Sequence, residues 1–255
     1  VLMLFLMTNQ SPSEFSNERP TAPLERLLAG YAMLGHSDIE RIREGIAGGE
    51  IAHGVGALLD DDLRRTPARL IAKGWVARAG VLADGRRQIV GLHLPGDLLT
   101  PAEGEGGDMT VWALTEAITI DAGRFWRAVE NETAPDSRLG AAWRQIREVE
   151  RARLVHQIIR LGRLTAYERT AHLFLELHDK QLRAGLTDTG AVQLPITQDV
   201  LADSLGLSAV HMNRTLQQLR RDGLIVYRGG QLLLPDLRGL RQAARLSSAN
   251  EAETR

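Results

Sequence analysis

The stretch that most constrains this chain is Thr197 to Gln231, TQDVLADSLGLSAVHMNRTLQQLRRDGLIVYRGGQ. Its pattern predicts two short helices joined by a tight turn and followed by a two-stranded wing. Thr197 offers a hydroxyl to a free backbone N–H at the start of the first helix. Leu201, Ala202 and Leu205 then share one face at helical spacing. Gly206 sits at the turn, where glycine takes a positive φ without steric cost. Ser208 is a second cap signal, and Met212, Leu216 and Leu219 form the buried side of the second helix. Val210, Arg214, Gln217 and Arg221 are left facing away, with His211 and Asn213 on the flanks.

That outward face suits a helix laid in the major groove of DNA, where some side chains read base edges and others meet phosphates. The fork of Arg214 can bond guanine at two atoms, and Asn213 can do the same for adenine or hold a phosphate. The wing tip, Arg228-Gly229-Gly230, brings a further cation towards the backbone. The candidate DNA-binding set is therefore Thr197, Ser208, Val210, His211, Asn213, Arg214, Gln217, Arg221 and Arg228. An exposed polar helix on an ordinary helical hairpin is the plainer alternative. Two caps, a glycine turn, the small Ala202 and the wing all point the other way.

Charge supports a division of labour. Asp84–Asp136 holds four Lys/Arg against ten Asp/Glu, whereas residues 196–245 hold seven Arg against four acids. An acidic first half and a basic second half fit a sensing domain joined to a nucleic-acid-binding one. There are no cysteines in the 255 residues, which excludes disulfides, thiolate metal sites, cysteine-held iron–sulfur clusters and cysteine nucleophiles. The opening VLMLFLMTNQ is apolar for seven residues and lacks a basic start, so it predicts neither a membrane span nor a signal peptide. Met7 is a candidate start. A cytoplasmic protein with no membrane partner is the simplest expectation.

In chain order, residues 1–23 are rich in polar residues and Pro and predict disorder. Residues 24–47 carry a helical pattern broken near Gly35–Ser37, with Ser37 or Asp38 as cap and Ile39, Ile42 and Ile46 on one face. Between 50 and 121 the texture is short strands and glycine turns. ARLIAKGWVARAGVL and RRQIVGLHL flank Asp84-Gly85, a hairpin signal. Thr110–Thr115 and Ala117–Ile120 read as further strands, and the region predicts a small antiparallel barrel or jelly roll. From Ala122 the chain turns helical, and Asp136 to Gly162 is the longest helix candidate. Leu139, Trp143, Ile146, Val149, Leu154, Ile158 and Leu161 trace an apolar stripe along it, which predicts a helix–helix dimer seam. Packing within its own subunit is the alternative, since the stripe breaks a strict heptad. Gly162 is expected to interrupt the helix as a hinge. Thr165 and Glu168 form a capping box, opening a helix to Arg183 whose Ala171, Phe174, Leu175, Leu177 and Leu182 should be core. Val192–Leu194 is a strand, and Asp236–Leu246 a last short helix.

The order of barrel, long helix and winged helix-turn-helix resembles the Crp/Fnr family of bacterial transcription regulators over residues 24–245. GWVARAGVLADGRRQIVGLHLPGDLL looks like the family's effector-domain hairpin and glycine turn. LGRLTAYERTAHLFLEL resembles the segment after the dimer helix, and ITQDVLADSLGLSAVHMNRTLQQLRRDGLI the DNA-binding signature. The resemblance implies an α+β architecture, and with the two flanking segments the chain divides into five parts. A disordered segment (1–23) precedes a cyclic-nucleotide-binding-like jelly roll (24–135) and a dimerisation helix with hinge (136–162). A winged helix-turn-helix domain (163–245) and a tail (246–255) follow. It also implies a homodimer on a two-fold-related, palindromic operator, with RNA polymerase as a further partner and a small-molecule effector in the barrel. Arg214 matches the family's base-reading arginine. Val210 stands where a base-contacting glutamate is frequent, and can instead touch a thymine methyl.

The effector run TPAEGEGGDMTVWAL departs from the family's phosphate cassette. Thr110 matches its Ser/Thr, but Met109 falls where an arginine meets the cyclic phosphate, and Glu103, Glu105 and Asp108 would repel one. Cyclic AMP is therefore not expected as a tight ligand. The alternatives are a cyclic-nucleotide response through a rearranged cassette, and a ligand- or protein-interaction module that no longer binds DNA. No cofactor or metal is expected, because His36, His53 and His93 lack ligand spacing. The glycines at 104–107 lack the Lys-Ser/Thr of a P-loop. No nucleophile–His–acid set assembles, so no enzyme is predicted.

Overall fold

Proline in a first turn, where its missing N–H costs nothing, starts the structure: α1 spans Ala22–Ala29 with Pro23 inside it. The computed structural model describes residues 18–100, 109–134, 136–187, 190–228 and 230–245. The candidate start at Met7, the acidic cassette residues Glu103, Glu105 and Asp108, and the tail 246–255 lie outside the described residues. Disorder was expected through residue 23, yet Glu18 already pairs with Arg26 at 2.6 Å and Thr21 precedes α1. α2 (His36–Gly45) is capped at Gly35, whose N–H donates to the Asp38 carboxylate at 2.9 Å; Ser37 lies inside the first turn. Ile42 and Ile46 are buried and Ile39 half-buried, as their spacing predicts.

The glycine-punctuated region folds into two antiparallel sheets. Its elements are β1 (Ile51–His53), α3 (Asp60–Arg65), β2 (Arg69–Lys73), β3 (Val76–Val81), β4 (Arg87–His93), β5 (Leu98–Leu99), β6 (Met109–Ala113) and β7 (Ala117–Asp121). One sheet runs β1-β7-β2-β5 and the other β4-β3-β6. Leu59, Ile71, Val76, Leu99, Val111 and Ala113 fill the space between them. The β3–β4 hairpin turns at Asp84-Gly85, with Gly85 at φ 83°. The two-residue β5 is not among the expected strands, and α3 is unannounced by periodicity. It is one and a half turns long, with three Asp at its positive end and two Arg at its negative end.

α4 (Gly123–Glu130) leads to α5 (Arg138–Arg163), which is 26 residues long and capped by the Ser137 hydroxyl. The helix continues through Gly162, so that glycine is not a break; the chain turns at Leu164 instead. α6 (Ala166–Ala184) begins with the expected Thr165/Glu168 capping box and ends at Gly185, φ 65°. β8 (Ala191–Gln193), α7 (Gln198–Leu205), α8 (Ala209–Arg221), β9 (Val226–Arg228), β10 (Gln231–Leu233) and α9 (Leu237–Ala243) complete the chain, with the wing sheet ordered β8-β10-β9. Phe174, Leu177, Leu201, Met212, Leu216, Leu219 and Leu232 form the C-terminal core. Leu182 does not join it and is 43% exposed. The last turn of α6 docks through Gln181, which exchanges two hydrogen bonds with Gln193 (2.8 and 2.9 Å) and rotates Leu182 outward. Trp75 and Leu94 of the barrel belong to this same core, so barrel and C-terminal region are packed together.

Candidate nucleic-acid interface

Local signals position the two helices of the helix-turn-helix. The Thr197 hydroxyl accepts from Val200 N at 3.3 Å, and the Ser208 hydroxyl from His211 N at 3.2 Å. Gly206 takes φ 62° between them, and Leu161 of α5 packs beneath it, 3.3 Å from where a Cβ would lie. Met212, Leu216 and Leu219 turn inward. Val210 (63% exposed), His211, Asn213, Arg214, Gln217 and Arg221 all lie on the solvent side of α8, and Arg228 is exposed in the wing opposite Gln231. Ser208, Val210, His211, Arg214, Gln217 and Arg221 line one shallow concavity together with Gln218.

Two polar residues were missed by the spacing argument. Gln218 faces this concavity one position beyond Gln217. Gln198, at the start of α7, accepts from Asn213 Nδ2 at 3.1 Å, and Asn213 Oδ1 accepts from Gln217 Nε2 at 2.8 Å. The amide of Asn213 is thus engaged on both sides, whereas no described residue bonds the Arg214 fork. A glutamine in the first turn after a Thr cap was the available signal for Gln198.

The apolar stripe of α5 divides. Leu139 and Trp143, expected at a dimer seam, are buried in the core of their own subunit with Phe125 and Val129; Trp143 meets Phe125 edge-on at 6.1 Å. Ile146 packs half-buried on the same cluster, and Val149 is half-buried. Leu161 belongs to the Gly206 contact. Leu154 and Ile158 remain exposed, at 52% and 71%, joined by Val155 and Ile159, which the stripe left out.

In the barrel, Met109 and Thr110 open β6. The Thr110 hydroxyl donates to Asp60 Oδ2 at 3.1 Å, and Val111 N donates to Asp60 Oδ1 at 3.2 Å. The proton of the Thr110 hydroxyl is therefore taken by a carboxylate. Among the described residues no three His, Asp or Glu side chains gather to hold a metal ion. His36 pairs with Glu40, His53 bonds Thr119 at 2.9 Å, and His93 is held neutral, its pKa lowered from 6.5 to about 3 by burial and by Lys180. No helix among the described residues is long and apolar enough to cross a membrane.

These features meet a family model described as a Crp-like helix-turn-helix domain, which matches residues 168–243. The chain belongs to the Crp/Fnr family of transcription regulators, whose DNA-binding domain is this winged helix-turn-helix. It is 31% identical over 194 residues to the transcriptional activatory protein AadR of Rhodopseudomonas palustris, covering 75% of this chain and 77% of that one. It is 33% identical over 172 residues to the nitrogen fixation regulation protein FixK of Bradyrhizobium diazoefficiens, covering 66% and 70%. Its fold matches the structure of FixK2 from Bradyrhizobium japonicum with a TM-score of 0.64 at 23% identity, over 79% of this chain and all of that one.

Proposed function

We propose that two copies of this chain pair along the C-terminal half of α5 and bind a two-fold-related operator, with one α8 in each of two successive major grooves. The observation that carries this reading is the outward face of α8, where Arg214 and Val210 stand free on a rigid, doubly capped scaffold. Arg214 reads guanine, Val210 meets a thymine methyl, and Arg228 and the two capping hydroxyls approach phosphates. Asn213 braces Gln217 and Gln198. The dimer seam is the exposed set Leu154, Val155, Ile158 and Ile159. RNA polymerase is the second macromolecular partner, in keeping with relatives named as activators. The protein acts in the cytoplasm and is not an enzyme. Its barrel receives a small-molecule signal other than cyclic AMP, because the Asp60 carboxylate on Thr110 and the apolar Met109 disfavour a cyclic phosphate.

Selection of bound fragments from random duplex DNA, with and without cyclic AMP, tests this reading. A palindromic motif unaffected by cyclic AMP is expected. A motif that appears only with the nucleotide overturns the cassette argument, and no motif in either condition overturns DNA reading. On the recovered operator, Arg214→Ala should cost about 1–3 kcal/mol and relax preference at one base position per half-site.

A further inference from the structure

A helix ends in carbonyls that its own backbone cannot satisfy, and its carboxyl end carries partial negative charge. At the end of α7, three other elements supply the donors. Gln88 Nε2, on β4, donates to Asp203 O at 2.9 Å and to Ser204 O at 3.3 Å. Gln157 Nε2, on α5, donates to Ser204 O at 2.8 Å and to Ile89 O of β4 at 3.4 Å. Arg169 Nη1, on α6, donates to Leu205 O at 3.1 Å. Arg87 adds an ion pair with the Asp203 carboxylate at 2.9 Å. The first helix of the helix-turn-helix is therefore seated in a polar socket built from the barrel, the long helix and α6.

Gln157 is the centre of that socket. It is buried, a position glutamine occupies only when its amide is bonded. Its Oε1 accepts from Arg160 Nε at 3.0 Å, and Arg160 Nη1 reaches Glu176 at 2.9 Å and His172 at 3.1 Å on α6. Directly or through Arg160, this side chain thus joins β4, α5, α6 and α7. It also lies on the same turn as Val155, Ile158 and Ile159, so the pairing of two α5 helices and the seating of α7 share one segment of backbone.

We propose that Gln157 is a positioning residue for DNA binding: it meets no DNA, and its amide sets the pose of α7, and through the Gly206 turn of α8, relative to the dimer helix. This rests on the two-fold reading above. Each base pair added between half-sites moves them apart by about 3.4 Å and rotates one about a tenth of a turn against the other. Two rigidly seated recognition helices reject that change, whereas loosely seated ones follow it.

The test uses the full chain on the operator recovered by selection and on the same duplex with its centre lengthened or shortened by one base pair. The wild type is expected to prefer the native spacing by about tenfold, and Gln157→Leu to bind all three within about twofold, a coupling of ordinary size. Gln157→Glu keeps the acceptor for Arg160 but loses the donor to Ser204 O, so it should behave like the Leu variant. A uniform loss on all three duplexes, the result of mere destabilisation, overturns the positioning role, as does wild-type discrimination in either variant. Where Gln157→Leu does not fold, Gln88→Ala removes the neighbouring donor from the same carbonyl; spacing preference unchanged in that variant overturns the socket. A wild type that recovers no two-fold motif overturns the dimer-on-operator reading, whereas one that discriminates spacing alongside equally discriminating variants overturns only the role of Gln157.

Discussion

The two halves of α5 are built to opposite rules. The first half buries Leu139, Ala142 and Trp143 against Phe125 and Val129 and turns its charges to solvent. The second half buries Gln157 and Arg160 and exposes Leu154, Val155, Ile158 and Ile159. Apolar residues are placed inside by the hydrophobic effect unless another surface covers them. A helix that inverts this order midway is core at one end and, in the proposed dimer, interface at the other. The buried polar pair ties the helix to its own α6 and α7, which leaves the apolar side exposed.

Truncation in the first half should have the largest effect. Trp143→Ala removes a side chain that is 5% exposed, together with its edge contact to Phe125 and its hydrogen bond to Glu130 at 3.1 Å. A loss of about 3–5 kcal/mol in denaturant unfolding is expected. A change under about 1 kcal/mol would mean that this half is not core. The second half should respond in another currency. Ile158→Glu places charge at a position 71% exposed in the single chain, so folding should survive while the pair separates. Sedimentation should show a monomer, and affinity for a two-fold operator should fall by about a hundredfold or more as the second half-site is lost. A variant that stays dimeric sinks the narrow seam and returns the question to the rest of the stripe.

The division within α5 could not be seen in the stripe, which scores apolar residues by identity and spacing alone. Burial of Gln157 depends on carbonyls 47 and 68 positions away in sequence, and no local pattern carries that information. The same limit hid the Asn213 bridge to Gln198 and the outward turn of Leu182, both settled by partners on other elements. Gly162 misled for a different reason. A helix-interior glycine costs about 1 kcal/mol, which the packed turns on either side outweigh. The helix-turn-helix was legible almost residue by residue, because caps, a positive-φ glycine and a three-to-four-residue repeat all act within one or two turns. The β3–β4 hairpin was legible for the same reason. α3 was too short for any period to show.

The buried polar end of the second half makes the smallest prediction, and a signed one. His172 packs against Arg160, Glu176 and His156, and burial, then Arg160, lower its pKa from 6.5 to about 4. Arg160 donates to its Nδ1, so the neutral ring is the form the fold requires. The folded chain then binds this proton more weakly than the unfolded chain. Stability from this site is complete above pH 6.5 and is lost as pH falls towards 4. The loss should reach about 1 kcal/mol or more across that window, since each pH unit is worth up to about 1.4 kcal/mol per proton. His172→Gln keeps an acceptor for Arg160 and removes the titration, so its stability profile between pH 6.5 and 4 should be flatter than that of the wild type by this amount. Parallel profiles would mean that Arg160 does not depend on a neutral partner, and that the buried polar side of this half of α5 tolerates charge.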